Sequence, residues 1–406
     1  MSINCIKRYS AKLLYVWPAL GLVAAMLLHG TAQSAPRVPK ADSEVLERLP
    51  LKASDPVGRE LRALRARLNE APDDPERAVA LARRYFDIAG AEGDPRYIGY
   101  AEAVLRPWAG KPDAPVEVVF TAALLKQYRH RFAEAMADLD AVLDRDPGHG
   151  EALSWKWALH MVQAEYDEAR AVCERRQPVA SALALTACFA TVDGVTGKAR
   201  PSYASLQAAL AQDPKRDAEF RQWILTRLGE LALRGGEPAS AEQHFREAIA
   251  TGVTDGFVLA AYADLLIDAG RPAEVVSLLK DWTRSDILLL RLALAERALG
   301  SPSAAAHAEA LANRFADATL RGDRLHLQEE ARFELQLRHD AARALELALE
   351  NWREQREPRD ARVLMEAALA ARRPDAAQPA LEWMRRTGYE ETRYRALVEQ
   401  LRKMPK

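Results

Sequence analysis

Apolar positions recur at the spacing of α-helices through most of the chain. The run MEAALAA at 365–371 is rich in Ala and Leu, which are strong helix formers, and it lacks the alternation that strands require. The helical segments also repeat, since Leu228 and Tyr262 are 34 residues apart and so are Gly236 and Gly270. A fixed period of this length predicts stacked antiparallel helical hairpins, because a single hairpin buries little by itself.

Small residues stand at fixed offsets in the repeat, where the two helices of a hairpin must approach closely. Glycines follow the predicted first helices, because glycine adopts the left-handed conformation of a helix end without steric cost. The segment LGELALRGGEPASAEQHFREAI at 228–249 resembles the tetratricopeptide repeat family, and the resemblance is carried by Leu228, Gly229, Gly236, Ala241, Phe245 and Ala248. It implies an all-α fold, an α-solenoid of stacked antiparallel hairpins wound into a right-handed superhelix.

We expect this solenoid to span residues 57–403, with eight or nine hairpins and a closing helix. Two departures from the family pattern stand out. The first hairpin is expected to carry a long loop, AGAEGDPRYIG at 89–99, between its helices. In a later repeat Arg332 occupies a position where the family has a small residue.

The N-terminus has the order of a secretory signal. Basic residues precede the apolar segment at 13–30, and small residues follow it, so we expect a signal peptide at 1–34 with cleavage before Ala35. The Pro-rich, polar stretch at 35–56 is interpreted as a flexible linker. The expected location is the periplasm or the medium, and the alternative is an inner-membrane protein anchored by an uncleaved 13–30 segment.

Composition excludes some partners and favours others. The formal net charge is −1, and the chain shows no basic stripe of the kind that nucleic-acid binders carry, so no nucleic-acid partner is expected. Membrane contact, if there is any, is expected only through an uncleaved N-terminal segment. The resemblance implies a protein or peptide partner, held in a concave groove by the first helices. An alternative to partner binding is that the chain is a purely architectural spacer.

We find no catalytic or cofactor-binding motif, so neither an enzyme nor a cofactor is predicted. The stretch RGDRLHLQEEARF at 321–333 is the one candidate, because helical spacing would put His326, Glu329, Glu330 and Phe333 on one face. The sequence favours structural ion pairing there over partner contact. A metal site or a metal-dependent hydrolase in the cell envelope is the alternative function. The likeness of RGD to an adhesion motif is interpreted as chance.

The residues predicted to line the concave groove share the first-helix offsets of the family. Aromatic rings would anchor a partner segment, and charges would orient it. Because the charges include several acids, a segment with apolar and basic side chains is expected. The alternative is that several of these residues pack against neighbouring hairpins. The predicted set is Trp223, Glu230, Phe257, Asp264, Arg297, His326, Glu329 and Phe333.

Cys173 and Cys188 remain after signal cleavage, in helices that are expected to pack together. An oxidising compartment would permit a disulfide between them. The sequence favours the other interpretation, two small buried apolar side chains.

Overall fold

The computed structural model describes residues 55–213, 217–320, 322 and 325–404. The predicted signal peptide, nearly all of the linker, and Arg321 and Asp323 of the RGD tripeptide lie outside the described residues. The chain separates into residues 1–58 and a compact unit at 59–406. A leading helix, α1, covers Pro56–Glu70.

The all-α fold is confirmed, and the described part of the compact unit holds nine helical hairpins. In the first five hairpins the helix pairs are α2 Pro75–Glu92 with α3 Arg96–Leu105, α4 Val116–Tyr128 with α5 Phe132–Arg145, α6 Gly150–Val162 with α7 Tyr166–Arg175, α8 Ala182–Val195 with α9 Ala199–Gln212, and α10 Ala218–Arg234 with α11 Pro238–Ala250. The next four pair α12 Gly256–Asp268 with α13 Pro272–Leu279, α14 Asp286–Ala298 with α15 Ala304–Leu320, α16 Leu327–Phe333 with α17 Ala341–Glu354, and α18 Pro358–Ala370 with α19 Gln378–Thr387. Helix α20, Thr392–Lys403, closes the array.

The close approach of the two helices within a hairpin explains why small residues stand at fixed offsets in the repeat. A Cβ atom built on Gly229 in α10 would lie 2.5 Å from Cε1 of Phe245 in α11, so only glycine fits this crossing. Gly236 and Gly270 follow the first helices with φ of 82° and 70°, which is the left-handed conformation that the sequence predicted for them.

The long loop expected in the first hairpin is absent. Helix α2 continues through Glu92, and the chain reverses at Gly93, which has φ of 69°. A Cβ atom on Gly93 would lie 2.9 Å from Oγ of Ser285, so this reversal packs against the residue before α14. The extra residues therefore lengthen a helix and bring the first hairpin against the seventh.

The C-terminal hairpins pack back against the third, fourth and fifth hairpins. The Nε1 atom of Trp383 donates a hydrogen bond to Oη of Tyr166 at 3.1 Å, and the backbone N–H of Arg356 donates to the carbonyl of Val162 at 2.8 Å. One hydrophobic cluster accordingly joins hairpins two to four with hairpins eight and nine and α20. The solenoid thereby closes on itself from hairpin three to hairpin nine.

The eighth hairpin departs from the regular repeat. Its first helix, α16, is a short helix that continues as a single π-helical turn over Glu334–Arg338, and His339 ends it with φ of 57°. Among the described residues, no helix combines the length and apolar character that crossing a membrane requires.

Candidate functional site

A partly open cavity of about 490 Å³ lies inside the closed part of the solenoid. The first helices of seven successive hairpins contribute to its wall, from α6 to α18, and we call the surface that these helices share the inner surface. Tyr389 and Glu391, which precede α20, and Tyr394 in its first turn line one side. Its volume lies in the range of small-molecule and peptide side-chain pockets.

Four of the predicted groove residues line this cavity: Trp223, Glu230, Phe257 and Asp264. They are two turns apart within α10 and within α12, and one 34-residue repeat apart between the two helices, which puts them on neighbouring parts of the same wall. Trp223 also packs edge-on against Trp157 of α6, with ring centroids 6.2 Å apart. In the middle of the solenoid, the repeat offsets therefore selected residues that line a single cavity.

Asp264 is held between two guanidinium groups. Nη2 of Arg291 donates to Oδ2 at 2.7 Å, and Nη1 of Arg332 donates to Oδ1 at 2.9 Å. Burial by itself would raise the pKa of Asp264, but the positive charges of Arg291 and Arg332 outweigh burial and lower the pKa below its usual value. The carboxylate is therefore ionised and already neutralised by the protein.

Phe257 carries a guanidinium group near its ring from each of two hairpins. The Cζ atom of Arg227 lies 4.9 Å from the ring centroid, and that of Arg359 lies 5.4 Å from it. Both distances suit cation–π attraction. Arg227 also pairs with Glu230, at 2.9 Å from Nη1 to Oε2, and Arg359 donates to Glu357 at 2.7 Å.

The other four predicted groove residues lie away from the cavity. Arg297 is exposed and donates to the carbonyl of Leu337, so it holds the π-helical turn of the next hairpin. Phe333 is 1% exposed and packs on Phe315, with ring centroids 5.5 Å apart, because the short helix α16 turns it into the core. Phe333 is therefore part of the core, and Arg297 lies outside the cavity wall.

His326 and Glu329 do not line the cavity either. His326 precedes α16 with φ of −120° and ψ of 31°, so it occupies the N-cap position, without a capping hydrogen bond from its side chain, instead of lying within the helix. Glu329 is buried, and Glu330 lies on the partly exposed side, 3.5 Å from Nη2 of Arg343. The four residues therefore differ in burial, and His326 lies just outside the helix.

Another titratable cluster surrounds Glu329. Burial lowers the pKa of His130 to about 4, with His326 adding to this effect and Glu329 opposing it. Burial together with the charge of Glu357 raises the pKa of Asp360 to about 7. Within the described ranges, the structure brings no three His, Cys, Asp or Glu side chains together as a metal site.

Sequence reasoning missed the arginines of the cavity wall. They are Arg227, Arg234, Arg291, Arg332, Arg359, Arg362 and Arg393. One signal was present: Arg291 interrupts the apolar run ILLLRLALA at 287–295 and is 2% exposed in the structure, and a charge inside such a run must have a buried partner. Arg332, which departs from the family pattern, is also a buried charge that must have a partner, and that partner is Asp264.

Asp268 clamps the C-terminal region onto the sixth hairpin. Its two oxygens accept hydrogen bonds from Nη2 and Nη1 of Arg362, at 2.7 and 2.8 Å, and Arg393 also pairs with it. Arg362 and Arg393 belong to α18 and α20, and Asp268 ends α12. These ion pairs fix the side of the cavity that the C-terminal helices supply.

Cys173 and Cys188 form a disulfide, with their Cα atoms 5.8 Å apart. The bridge joins α7 to α8 and therefore connects two successive hairpins. The favoured interpretation of two unlinked thiols is wrong in this structure, although both residues are buried as expected.

Comparisons with known proteins find no matching family model and no matching curated relative. Among solved structures, an IFIT1 monomeric mutant with Gppp-AAAA is 16% identical, covers 85% of this chain and 86% of its own, and gives a TM-score of 0.42. A tetratricopeptide repeat protein from Parabacteroides merdae is 14% identical, covers 71% of this chain and 98% of its own, and gives a TM-score of 0.30. The Cut9-Hcn1 hetero-tetramer of the APC/C is 14% identical, covers 85% of this chain and 86% of its own, and gives a TM-score of 0.30. Likenesses this distant carry no functional argument.

The class of the protein follows from its own geometry. Nine antiparallel hairpins, a 34-residue period and a glycine at the tight crossing of α10 and α11 define a tetratricopeptide-like α-solenoid. The resemblance noted in the sequence is confirmed at the level of the fold.

Proposed function

We propose that this chain is an exported scaffold of the cell envelope that holds a segment of a partner protein on its inner surface. The observation that carries the proposal is the partly open cavity at the inner surface, lined by Trp223, Phe257 and the charged side chains around them. Aromatic and arginine side chains dominate binding energies at protein interfaces, and this cavity supplies both. The cavity, and not a groove along the whole solenoid, is the proposed contact.

Two further observations support export. The order of basic, apolar and small residues before Ala35 is that of a secretory signal. The disulfide between Cys173 and Cys188 suits an oxidising compartment, since such bridges are rare in reducing ones.

The test places a photo-crosslinking residue, benzoylphenylalanine, at Phe257 in the native host. We expect a protein adduct on irradiation, and its loss when Trp223→Ala is added. The control position is Tyr100, an exposed aromatic on the second helix α3 of the first hairpin. Adducts from Tyr100 but none from Phe257 would contradict binding at the inner surface.

A further inference from the structure

Every charged side chain of the cavity wall has a partner within the protein. The lining arginines all form ion pairs, which are Arg227 and Arg234 with Glu230, Arg291 and Arg332 with Asp264, Arg359 with Glu357, Arg362 with Asp268, and Arg393 with Asp268 and Glu391. The remaining lining carboxylates are Glu366, which pairs with Arg362, and Asp255, which accepts from the N–H of Phe257. The expectation of a basic partner side chain rested on the acids among these residues, and their pairing removes its basis.

The charges of the wall are therefore balanced. The seven lining arginines are matched by the six lining carboxylates together with Asp268, which pairs with Arg362 and Arg393. A charged group that enters the cavity gives up its hydration and meets carboxylates and guanidinium groups that already neutralise each other, so little compensates for the lost water. An uncharged group does not carry this cost, and the balance of the wall therefore favours an uncharged occupant.

An apolar stripe of α6 forms one side of the cavity. Trp155, Ala158 and Val162 are spaced three and four residues apart, so they share one face of the helix, and all three line the cavity. Leu153 and Leu159 of the same helix are buried in the core, whereas the three residues of the stripe are only half-buried. The chain itself therefore leaves part of this apolar face uncovered, and an apolar occupant can cover it.

Helices α10 and α12 supply further half-buried apolar residues of the wall, Trp223, Phe257 and Ala261. Aromatic rings of the wall pack on one another, since the ring centroid of Trp223 lies 5.8 Å from that of Phe220 and 6.2 Å from that of Trp157. Ring edges and faces attract another ring, and the paired guanidinium groups beside Phe257 attract its π face. These neighbours favour an aromatic occupant over an aliphatic one.

We propose that the cavity binds an uncharged aromatic side chain of the partner segment. This inference rests on the proposed function and deepens it, because it names the chemical class of the residue that enters the inner surface. The stripe of α6 packs against one side of the inserted ring, and Trp223 and Phe257 pack against the other. Ala158 and Ala261 contribute only methyl groups to the wall and leave room for the ring.

Fluorescence titration of the folded protein tests the preference with two dyes that share the same rings. The first, N-phenyl-1-naphthylamine, is uncharged, and the second, 8-anilino-1-naphthalenesulfonate, adds a sulfonate group. We expect the uncharged dye to bind at a single site and about tenfold more tightly than the sulfonate, because the balanced wall does not compensate for the lost hydration of an anion. No binding of the uncharged dye, or equal affinity of the two dyes, overturns the proposal.

Competition by short peptides then tests the class of side chain. We expect acetyl-Gly-Trp-Gly-amide to displace the uncharged dye, acetyl-Gly-Leu-Gly-amide to displace it less well, and the peptides with Lys or Glu at the central position not to displace it. Competition by the Lys or Glu peptide that equals competition by the Trp peptide contradicts the proposal, and so does a failure of the Trp peptide to compete.

Two variants that fill the cavity locate the site without changing any charge. Ala158→Leu and Ala261→Leu place a larger apolar group in the wall, and we expect each to weaken binding of the uncharged dye several-fold while circular dichroism stays unchanged. Ala308→Leu is the control, because Ala308 is also half-buried on a helix, α15, but does not line the cavity. Equal losses in all three variants, or no loss in either cavity variant, would contradict the assignment.

The outcome of this experiment is separate from that of the crosslinking experiment. Dye binding that the Trp peptide and the two cavity variants abolish, without any crosslinked partner at Phe257, would keep the preference of the site and reject the scaffold function. A crosslinked partner at Phe257 without a preference for the uncharged ring would keep the scaffold function and reject this inference.

Discussion

Arg332 donates a hydrogen bond to Asp264 at 2.9 Å across 68 residues of sequence. The contact joins the first helix of the eighth hairpin to that of the sixth, on the inner surface of the solenoid. With Arg291 on the other side of Asp264, two buried guanidinium groups flank a partly exposed carboxylate of the cavity wall and neutralise its charge.

Asp264→Asn should destabilise the protein by about 3 kcal/mol, because it leaves two buried guanidinium groups without their counter-charge. Urea denaturation followed by circular dichroism measures the free energy of unfolding. The control is Glu346→Gln, which removes an exposed partner of Arg343 and should change stability by less than about 0.5 kcal/mol. Similar effects of the two substitutions would mean that the cluster adds no more than a surface ion pair.

Asp360 should make stability fall as the pH rises from about 4 to about 7. The pKa of Asp360 in the folded protein is raised to about 7 by burial and by the charge of Glu357. Its neutral carboxyl group therefore favours folding fully below the pKa of the unfolded state, and this stability is lost as the pH rises through the pKa of the folded state. His130 acts in the opposite direction in this window, because burial lowers its pKa to about 4 and protonation at low pH then favours unfolding.

The measurement is therefore the difference in the free energy of unfolding between the wild type and Asp360→Asn at each pH. Asparagine keeps the oxygen that accepts from the N–H of Glu357, at 2.9 Å in the wild type. We expect the variant to gain roughly 1 to 3 kcal/mol over the wild type between pH 5 and pH 8, since one pKa unit corresponds to about 1.4 kcal/mol. A pH-independent difference would show that Asp360 does not titrate in this window. The charged groups Glu329, Glu357 and Arg359 influence Asp360 and stay unchanged in the comparison.

The disulfide should stabilise the fold by about 3 kcal/mol, because it closes a short loop in the unfolded chain. Replacing Cys173 and Cys188 together by Ala should lower the free energy of unfolding by this amount. Reduction of the wild type should have the same effect, while the reduced and oxidised forms of the double variant should be identical. Two free thiols in the denatured, unreduced protein would disprove the bridge.

Gly229→Ala should destabilise the fifth hairpin by about 2 kcal/mol, since the added methyl group would lie 2.5 Å from the ring of Phe245. Helix propensity alone acts the other way, by up to about 1 kcal/mol. Gly90→Ala isolates that propensity, because Gly90 lies in α2 with nothing within 4 Å of an added Cβ atom, and it should stabilise slightly. Thermal unfolding of both variants measures the contrast. A stabilising Gly229→Ala would show that the helices can separate without cost.

Cleavage before Ala35 is the fifth prediction, and it follows from the sequence of the N-terminus. Intact-mass analysis and N-terminal sequencing of protein from the periplasmic fraction should give a chain that begins at or near Ala35. A full-length chain in the membrane pellet would favour the anchored alternative through 13–30, and a full-length cytosolic chain would reject export.

The sequence by itself determined the hairpins, their period and the tight crossings within them. These features depend on residues less than 34 positions apart, such as Gly229 and Phe245, so local spacing records them. Four of the eight predicted groove residues lie at the cavity for the same reason, because the repeat is regular between α10 and α12. In the eighth hairpin the first helix shortens to α16 and a π-helical turn. There the repeat spacing no longer indicates which way a side chain faces, and Phe333 points into the core.

Only the tertiary structure decided that the solenoid closes between hairpins three and nine and that Arg291 and Arg332, from later hairpins, neutralise Asp264. The pairs Tyr166 with Trp383, and Asp264 with Arg332, are separated by 217 and 68 residues. Such contacts depend on the small rotation between successive hairpins, which accumulates over the whole array and leaves no periodic trace in the sequence.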